Sequence, residues 1–285
     1  MKLAFLCILP AIVSAQAQPP NRIVSTFPSI TETLFALGAG DRVVGVSTYC
    51  RYPPAVLSLP KIGTYTNPDP EKIAWLRPDL VILQKPAGAL AERLSALGIA
   101  HLEIQVGSLA EVYSMIRDVG VAVGVPDRAD NLNVGIRTRL DAFRADGRGS
   151  HKPTVLMLVG RTPGLLTNLI AVGPSAYLGE LLEIAGGANV LTETAISYPH
   201  ISLETVVRLN PDVILDASFM GEAGSDTAVY EIRLREPWLA HRELSAVKNG
   251  LVFGLGSEVL VTPGPRVVDA VELIRAKIRH KDRRR

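Results

Sequence analysis

Apolar residues follow two different spacings along the chain, and the two spacings alternate. Short runs rich in apolar residues, such as 43–46 and 79–83, have the length of buried strands. Stretches such as 30–37 and 89–97 carry apolar residues every three to four positions, which predicts amphipathic helices. Strands and helices are predicted in turn over the first half of the chain. This order favours a parallel sheet with helices on both faces.

The second half of the chain repeats this order. Strands are predicted at residues 154–159, 213–215 and 251–253, and helices at residues 177–185 and 265–278. In the first half, Glu71 opens a helix that stops at Pro78 and leads into a strand. In the second half, Glu204 opens a helix that stops before Pro211 and also leads into a strand. Such a recurrence indicates one structural unit used twice, and it predicts two related α/β lobes.

A charged amphipathic segment separates the two halves. Between Pro126 and Ala145, apolar residues recur at helical spacing among charged ones, and the segment lacks the glycine and serine content of a flexible linker. One helix of about 20 residues spans about 30 Å, enough to brace two lobes. The predicted division is an N-terminal lobe at 18–124, a linking helix at 125–147 and a C-terminal lobe at 148–285.

The first 17 residues have the pattern of a cleavable export signal. Lys2 precedes an apolar run over residues 3–13, and Ala15-Gln16-Ala17 fits the cleavage pattern. The run is shorter than the about 20 residues that span a bilayer as a helix. We therefore expect a mature protein that starts at residue 18 and is soluble and periplasmic. Its one cysteine is then Cys50, without an internal disulfide.

Composition and motifs restrict the classes of function. The 285 residues include 30 basic and 28 acidic side chains, a balance that gives no electrostatic reason to expect a nucleic-acid partner. The sequence contains no nucleophile elbow, phosphate-binding loop or His-Glu-x-x-His motif. His200 and Glu204 lie four residues apart near a predicted helix start, so a metal-dependent enzyme is one alternative reading. An extracytoplasmic sensor domain is another.

Several stretches together resemble one family. They are residues 22–25 with 28–32, residues 44–49 with Tyr52-Pro53-Pro54, residues 59–63, and the two repeats that contain Glu71 and Glu204. Through them the chain resembles the class III, helical-backbone periplasmic binding proteins, which serve ABC importers of cobalamin, haem and ferric siderophores. Through Ser47-Thr48-Tyr49 and Tyr52-Pro53-Pro54 it is most similar to the vitamin B12-binding proteins.

The resemblance implies a fold, a function and partners. The fold would be two Rossmann-like lobes joined by a single long backbone helix, with the ligand bound between the lobes. The protein would act without catalysis or a resident cofactor, as a monomer that delivers its small-molecule ligand to an ABC permease in the inner membrane. One glutamate on each lobe would dock with permease arginines, and the repeats place these at Glu71 and Glu204. Each glutamate would otherwise simply offset a helix dipole.

Candidate ligand contacts lie where predicted strands end, because ligands of open α/β sheets bind at the carboxyl ends of strands. Aromatic side chains suit a flat, largely apolar ring. The resemblance places ring contacts at Tyr49, Tyr65 and Tyr198, and an acidic cleft residue at Glu258. Arg161, at a predicted strand end, is a candidate partner for a ligand phosphate, propionate or carboxylate, or else a solvated loop residue.

Other positions depart from the family pattern or leave the ligand open. Gln84-Lys85-Pro86 stands where an aromatic residue is expected, and Leu260-Val261-Thr262 where an arginine is expected. Haem or a ferric siderophore therefore remains an alternative to cobalamin. Cys50 is either a sulfur ligand for a cobalt or iron centre or a lone buried thiol.

Overall fold

The computed structural model describes residues 18–146, 152–218 and 227–279. The predicted export signal at 1–17 lies outside the described residues. The described chain has an α/β architecture with two sheets, one in each half of the chain.

Within the described residues, the N-terminal lobe has a parallel sheet of four strands in the order β2-β1-β3-β4. The strands are β1 Ile23–Ser25, β2 Val43–Val46, β3 Leu80–Gln84 and β4 His101–Ile104. The helices are α1 Pro28–Ala36, α2 Pro70–Trp75, α3 Gly88–Ala96 and α4 Leu109–Ala122. Strand and helix alternate as the apolar spacing predicts.

Both faces of this sheet are covered. On β3, Ile82 packs into the cluster that contains α1 and α4. Its neighbours Val81 and Leu83 point the other way and pack with Ile73 of α2 and Leu94 of α3. Burial on both faces explains why β3 is a continuous apolar run rather than an alternating one.

The C-terminal lobe repeats this topology and adds to it. Its strands are β5 Thr154–Gly160, β6 Leu169–Ala171, β7 Ala188–Asn189, β8 His200–Ile201, β9 Val213–Asp216 and β10 Val252–Gly254. Four of them are parallel neighbours in the order β7-β5-β9-β10. This order corresponds, strand by strand, to the order β2-β1-β3-β4 of the N-terminal sheet. The internal repeat therefore extends to the strand order. The helices are α6 Tyr177–Ile184, α7 Leu203–Leu209, α8 Thr227–Arg235, α9 Ser245–Lys248 and α10 Val267–Ile278.

The second sheet contains two strands that the sequence pattern did not predict. The sequence predicts a parallel sheet in each half, and β7, β5, β9 and β10 are parallel, but β6 pairs antiparallel with both β5 and β8. Strands β6 and β8 have three and two residues, too few to show a periodic apolar pattern. The second sheet is therefore mixed.

Helix α5, Pro126–Asp146, connects the lobes and packs along both of them. Its buried residues Ala129, Ile136 and Leu140 share one face. On the N-terminal side, the Asn133 side chain donates to the backbone oxygen of Tyr113 on α4 at 3.0 Å. On the C-terminal side, α5 packs against α6 and α10 and forms an Arg139–Glu272 ion pair of 2.8 Å. The helix thus braces the lobes side by side, while the exact domain boundaries stay a prediction.

Candidate functional site

A cavity of about 510 Å³ opens between the lobes. Its N-terminal wall comes from the segments that follow β1 and β2 and from the end of β3, and its C-terminal wall from the turn after β10. It is lined by Phe27, Pro28, Tyr49, Arg51, Tyr65, Gln84, Glu258, Val261 and Thr262. The volume lies within the range of small-molecule sites, and the carboxyl ends of parallel strands are where α/β sheets bind ligands.

Three aromatic side chains form one wall of the cavity. The ring centroids of Tyr49 and Tyr65 lie 5.3 Å apart, and those of Phe27 and Tyr65 also lie 5.3 Å apart, both in edge-to-face geometry. Tyr49 and Tyr65 are roughly half exposed, so their rings are open to a ligand. Phe27 is absent from the sequence-based candidates, although its place directly after β1 could have suggested it.

The backbone brings the two tyrosines together. Thr48, next to Tyr49, donates its amide to the carbonyl of Gly63, two residues before Tyr65, at 2.9 Å. Gly63 has a φ of +101°, and a Cβ at this position would lie 2.7 Å from the Asn67 carbonyl oxygen. A glycine is therefore needed here, because an L side chain would meet both strain and a clash.

A charged pair from opposite lobes lies in the same cavity. Arg51 Nη1 and Glu258 Oε1 are 2.5 Å apart, and the two side chains are 32% and 39% exposed. Glu258 occupies the cleft position that the resemblance implies. Arg51 was missed, because the two residues are separated by 207 positions in the chain and no local pattern connects them.

A second cross-lobe pair is buried beside the cavity. Arg266, at the start of α10, donates through Nε and Nη2 to the two carboxylate oxygens of Glu32 on α1. The side chain of Glu32 is 4% exposed and that of Arg266 is 22% exposed. The ring of Tyr52 lies 4.0 Å from the guanidinium. Burial raises the pKa of Glu32, and its hydrogen bonds raise the pKa of Arg266. The geometry makes this pair a structural link between the lobes.

Tyr198 does not line this cavity. It is roughly half exposed on the loop before β8. The loop is tied to the C-terminal lobe by a hydrogen bond from the Gly173 amide to the Ser197 carbonyl at 2.8 Å. Partial burial raises the pKa of the Tyr198 hydroxyl. Its role as a ring contact stays a prediction.

The prediction that Arg161 contacts a ligand is wrong. Its side chain is 1% exposed, and Nε donates to Asp216 Oδ2 at 2.8 Å. The remaining guanidinium nitrogens donate to the carbonyls of Leu165 and Leu234 at 3.0 Å. Asp216 also accepts from Trp238 Nε1 at 2.9 Å. The fork of Arg161 is therefore occupied inside the C-terminal lobe, and the solvated-loop reading is wrong as well.

The structure also contradicts Cys50 as a metal ligand. The residue is buried, and its sulfur lies 3.1 Å from Thr31 Oγ1. Burial raises the pKa of the thiol. In the described parts of the chain, no group of three or more His, Cys, Asp or Glu residues is arranged to hold a metal ion. The pair His200 and Glu204 thus lacks a third such residue there.

The two predicted docking glutamates occupy equivalent places in the repeats. Glu71 lies in the first turn of α2, which leads into β3, and Glu204 lies in the first turn of α7, which leads into β9. Both are exposed. Glu71 forms a 2.7 Å ion pair with Arg93, whereas a hydrogen bond with Ser202 lowers the pKa of Glu204. Both carboxylates are therefore presented to solvent on short, capped helices.

Comparison with known proteins identifies the family. A model of the periplasmic binding proteins matches residues 23–259. The chain belongs to the periplasmic binding protein family. The vitamin B12-binding protein of Vibrio cholerae serotype O1 is 30% identical over 273 residues, which cover 95% of this chain and 93% of that protein. The structure of the periplasmic vitamin B12 binding protein BtuF of Vibrio cholerae aligns with a TM-score of 0.74 at 29% identity, over 93% of this chain and 99% of that one.

Two further relatives mark the range of this periplasmic binding protein family. An uncharacterized ABC transporter substrate-binding lipoprotein, YvrC of Bacillus subtilis, is 30% identical over 89% of this chain and 78% of that protein. The periplasmic heme-binding protein RhuT from Roseiflexus sp. RS-1 aligns with a TM-score of 0.76 at 27% identity, over 92% of this chain and 98% of that one.

The comparisons confirm the predicted family and the predicted class III fold. This protein is a substrate-binding component of the ABC transporter type, in a family that includes B12 and haem binders. The relatives named above are binding proteins rather than enzymes. No helix among its described residues is long and apolar enough to cross a membrane.

Proposed function

We propose that this binding protein captures cobalamin, or a related corrinoid, between its lobes in the periplasm and delivers it to an ABC permease. The aromatic cluster of Phe27, Tyr49 and Tyr65 carries the proposal, because it offers ring faces and edges at the mouth of a cleft between two lobes. Such a surface suits a wide, flat, largely apolar macrocycle. The name of the Vibrio cholerae relative supports the same ligand class.

Haem is the second candidate ligand. Tyrosine is one of the side chains that ligate haem iron, and two tyrosines with accessible side chains line the cavity. The resemblance to the Roseiflexus heme-binding protein supports this reading. The described cavity lining contains no histidine, methionine or cysteine, so Tyr49 or Tyr65 would be the axial ligand.

Delivery would use the two exposed glutamates as docking points. Glu71 and Glu204 occupy equivalent first turns of α2 and α7, on rigid elements of the two lobes. Arginines of the permease would pair with them. Trp75, one helical turn after Glu71, is 79% exposed, and a large solvated aromatic beside a carboxylate is typical of a protein-binding surface. The docking face would therefore combine charge with an apolar anchor on the N-terminal lobe.

The proposed function also requires export to the periplasm and a motion of the two lobes around the ligand. Residues 1–17 would be removed on export, and the mature monomer would bind its ligand in the periplasm. Helix α5 packs against both lobes, so closure would be a small hinge motion rather than a large one. Solution scattering of the mature protein should then show little compaction when cyanocobalamin is added; a large compaction would contradict the brace.

The ligand is tested by visible absorption titration of residues 18–285 with cyanocobalamin and, separately, with haemin. We expect saturable one-to-one binding of cyanocobalamin, weakened about tenfold, or about 1.4 kcal/mol, by Tyr49→Ala or Tyr65→Ala. Tyr113→Ala, on α4 against Arg137 of α5, is the matched control outside the cavity. Binding of haemin alone, with a Soret band altered by Tyr49→Phe or Tyr65→Phe, would transfer the assignment to haem. Binding of neither would refute both ligands.

A further inference from the structure

We propose that the pair Arg51–Glu258 recognises the neutral carboxamide edge of the ligand and makes Arg51 a determinant of specificity. This inference rests on the proposed corrinoid function and extends it to a particular part of the ligand. Arg51 would donate to an amide carbonyl, while Glu258 would accept from the amide NH2 group. Corrinoids carry such primary amides around the ring, whereas haem carries ionised propionates.

Both members of the pair are held by their own lobes. On the N-terminal side, the Cys50 amide donates to the Ser47 carbonyl at 3.0 Å, which fixes the backbone directly before Arg51. On the C-terminal side, the Thr262 hydroxyl donates to the Glu258 carbonyl at 3.0 Å. The two side chains meet inside the cavity and line it. A ligand in the cavity therefore meets one group from each lobe at a single point.

The net charge of the residues that line the cavity determines which chemical groups of a ligand bind there. Among the described residues that line the cavity, Arg51 and Glu258 are the charged ones, so the site has a net charge near zero. A primary amide presents one acceptor and two donors, and the pair presents the complementary groups. An ionised carboxylate would satisfy Arg51 but would place its charge beside Glu258, a like-charge contact that disfavours binding. The pair thus selects a neutral amide over an anion.

The solvent exposure of Arg51 and Glu258 favours a role in recognising the ligand over a role in only holding the lobes together. The buried link between Glu32 and Arg266 already joins the lobes, and Glu32 is almost inaccessible to solvent. Arg51 and Glu258 instead keep about a third of their side chains exposed. Exposed ion pairs contribute little to stability. The guanidinium has five N–H donors, and a single contact with Glu258 leaves others available to a ligand.

The test compares cyanocobalamin with a monocarboxylic acid derivative in which one peripheral amide is hydrolysed. The measured quantity is the ratio of the two dissociation constants for each variant of residues 18–285. Glu258→Gln leaves Arg51 uncompensated, and we expect the carboxylate derivative to gain at least about fivefold in affinity relative to cyanocobalamin. Arg51→Gln leaves Glu258 uncompensated, and we expect the carboxylate derivative to lose affinity relative to cyanocobalamin by a similar factor. The double variant should return the ratio to the wild-type value.

Controls separate the possible failures. Glu92→Gln, exposed on α3 outside the cavity, changes the net charge in the same way as Glu258→Gln does and should leave the ratio unchanged. Thermal melting of each variant checks that it is folded. Equal losses of affinity for both ligands would mean that the pair only holds the lobes together, and an unchanged ratio would mean that it is not at the ligand; either result overturns this inference alone. If the wild-type protein binds no corrinoid, the proposed function and this inference fail together.

Discussion

Replacement of Arg266 by methionine would leave the carboxylate of Glu32 buried without its cation. The side chain of Glu32 is 4% exposed, and both of its oxygens accept from the guanidinium. Removing one partner of a buried pair typically costs about 3–5 kcal/mol. Arg266 is 22% exposed, so the pair is partly screened and we expect the lower end of that range, about 3 kcal/mol. Loss of the stacking against Tyr52 is included in this value.

The pH dependence of this loss follows from the pKa of Glu32. Burial already raises that pKa while Arg266 opposes the rise, so the substitution should raise it further. A carboxyl group whose pKa is higher in the folded state than in the unfolded state stabilises the fold when protonated, and this contribution is lost as pH rises. The deficit of the variant relative to wild type should therefore be largest near neutral pH. It should shrink as pH falls through the pKa of Glu32 in the folded variant.

The assay is equilibrium urea unfolding at about pH 7.5 and about pH 5. Trp75 is already 79% exposed, whereas Trp238 is buried in the C-terminal lobe, so the change in tryptophan fluorescence on unfolding reports mainly on that lobe. Far-ultraviolet circular dichroism reports on both lobes, so coincident curves test for a single transition. The double variant Glu32→Gln with Arg266→Met lacks the buried carboxylate, and its deficit should vary much less with pH. A loss below about 1 kcal/mol for Arg266→Met, or a deficit equal at both pH values, would refute the assigned electrostatic role.

Other predictions concern residues away from the cavity. Arg161→Met should destabilise the fold by about 3–5 kcal/mol in urea unfolding, because Asp216 loses its fully buried cation, yet change cyanocobalamin affinity less than about twofold; a selective loss of affinity would restore Arg161 to the ligand site. Cys50 should react with a thiol reagent such as DTNB much more slowly in the native protein than in urea, and equal rates would contradict its burial and raised pKa. Gly173→Ala should lower stability by about 1–3 kcal/mol in thermal or urea unfolding, because a Cβ would lie 2.3 Å from the Ile196 carbonyl oxygen. Gly135→Ala on α5, with open space around it, is the matched control and should cause no loss.

Local signals in the sequence determined the elements and their order. Asp69 caps α2 by accepting from the Lys72 amide at 3.1 Å, as the sequence Asp-Pro-Glu indicates. The charged amphipathic segment between the halves forms α5 over Pro126–Asp146. The matching repeats around Glu71 and Glu204 led to two lobes with the same parallel strand order. These features depend on residues a few positions apart, or on a comparison of the chain with itself, so they can be read without a structure.

Which side chains share the cavity depends on the folding of distant segments against each other. Tyr49 and Tyr65 are candidates from the sequence, but the contacts of Tyr65 with Tyr49 and Phe27 depend on how the segments after β1 and β2 converge. Arg161 stands at a strand end like any ligand contact, and only its pairing with Asp216 shows that it points into the lobe. The position at a strand end determines where the Cα of a residue lies, whereas the hydrogen-bond partners of its side chain determine the direction in which that side chain points.

Contacts between the lobes were beyond sequence reasoning altogether. Arg51 meets Glu258 across 207 residues, and Arg266 meets Glu32 across 234. The antiparallel strands β6 and β8 are likewise too short to have a pattern of their own and exist through their pairing with β5 and with each other. The family, the repeated lobes and the bracing helix α5 can be recognised from the amino-acid sequence, because short-range spacing and self-similarity encode them. The charge and composition of the cavity were decided by the packing of one lobe against the other, since a charge pair between lobes forms only when distant parts of the chain are brought together.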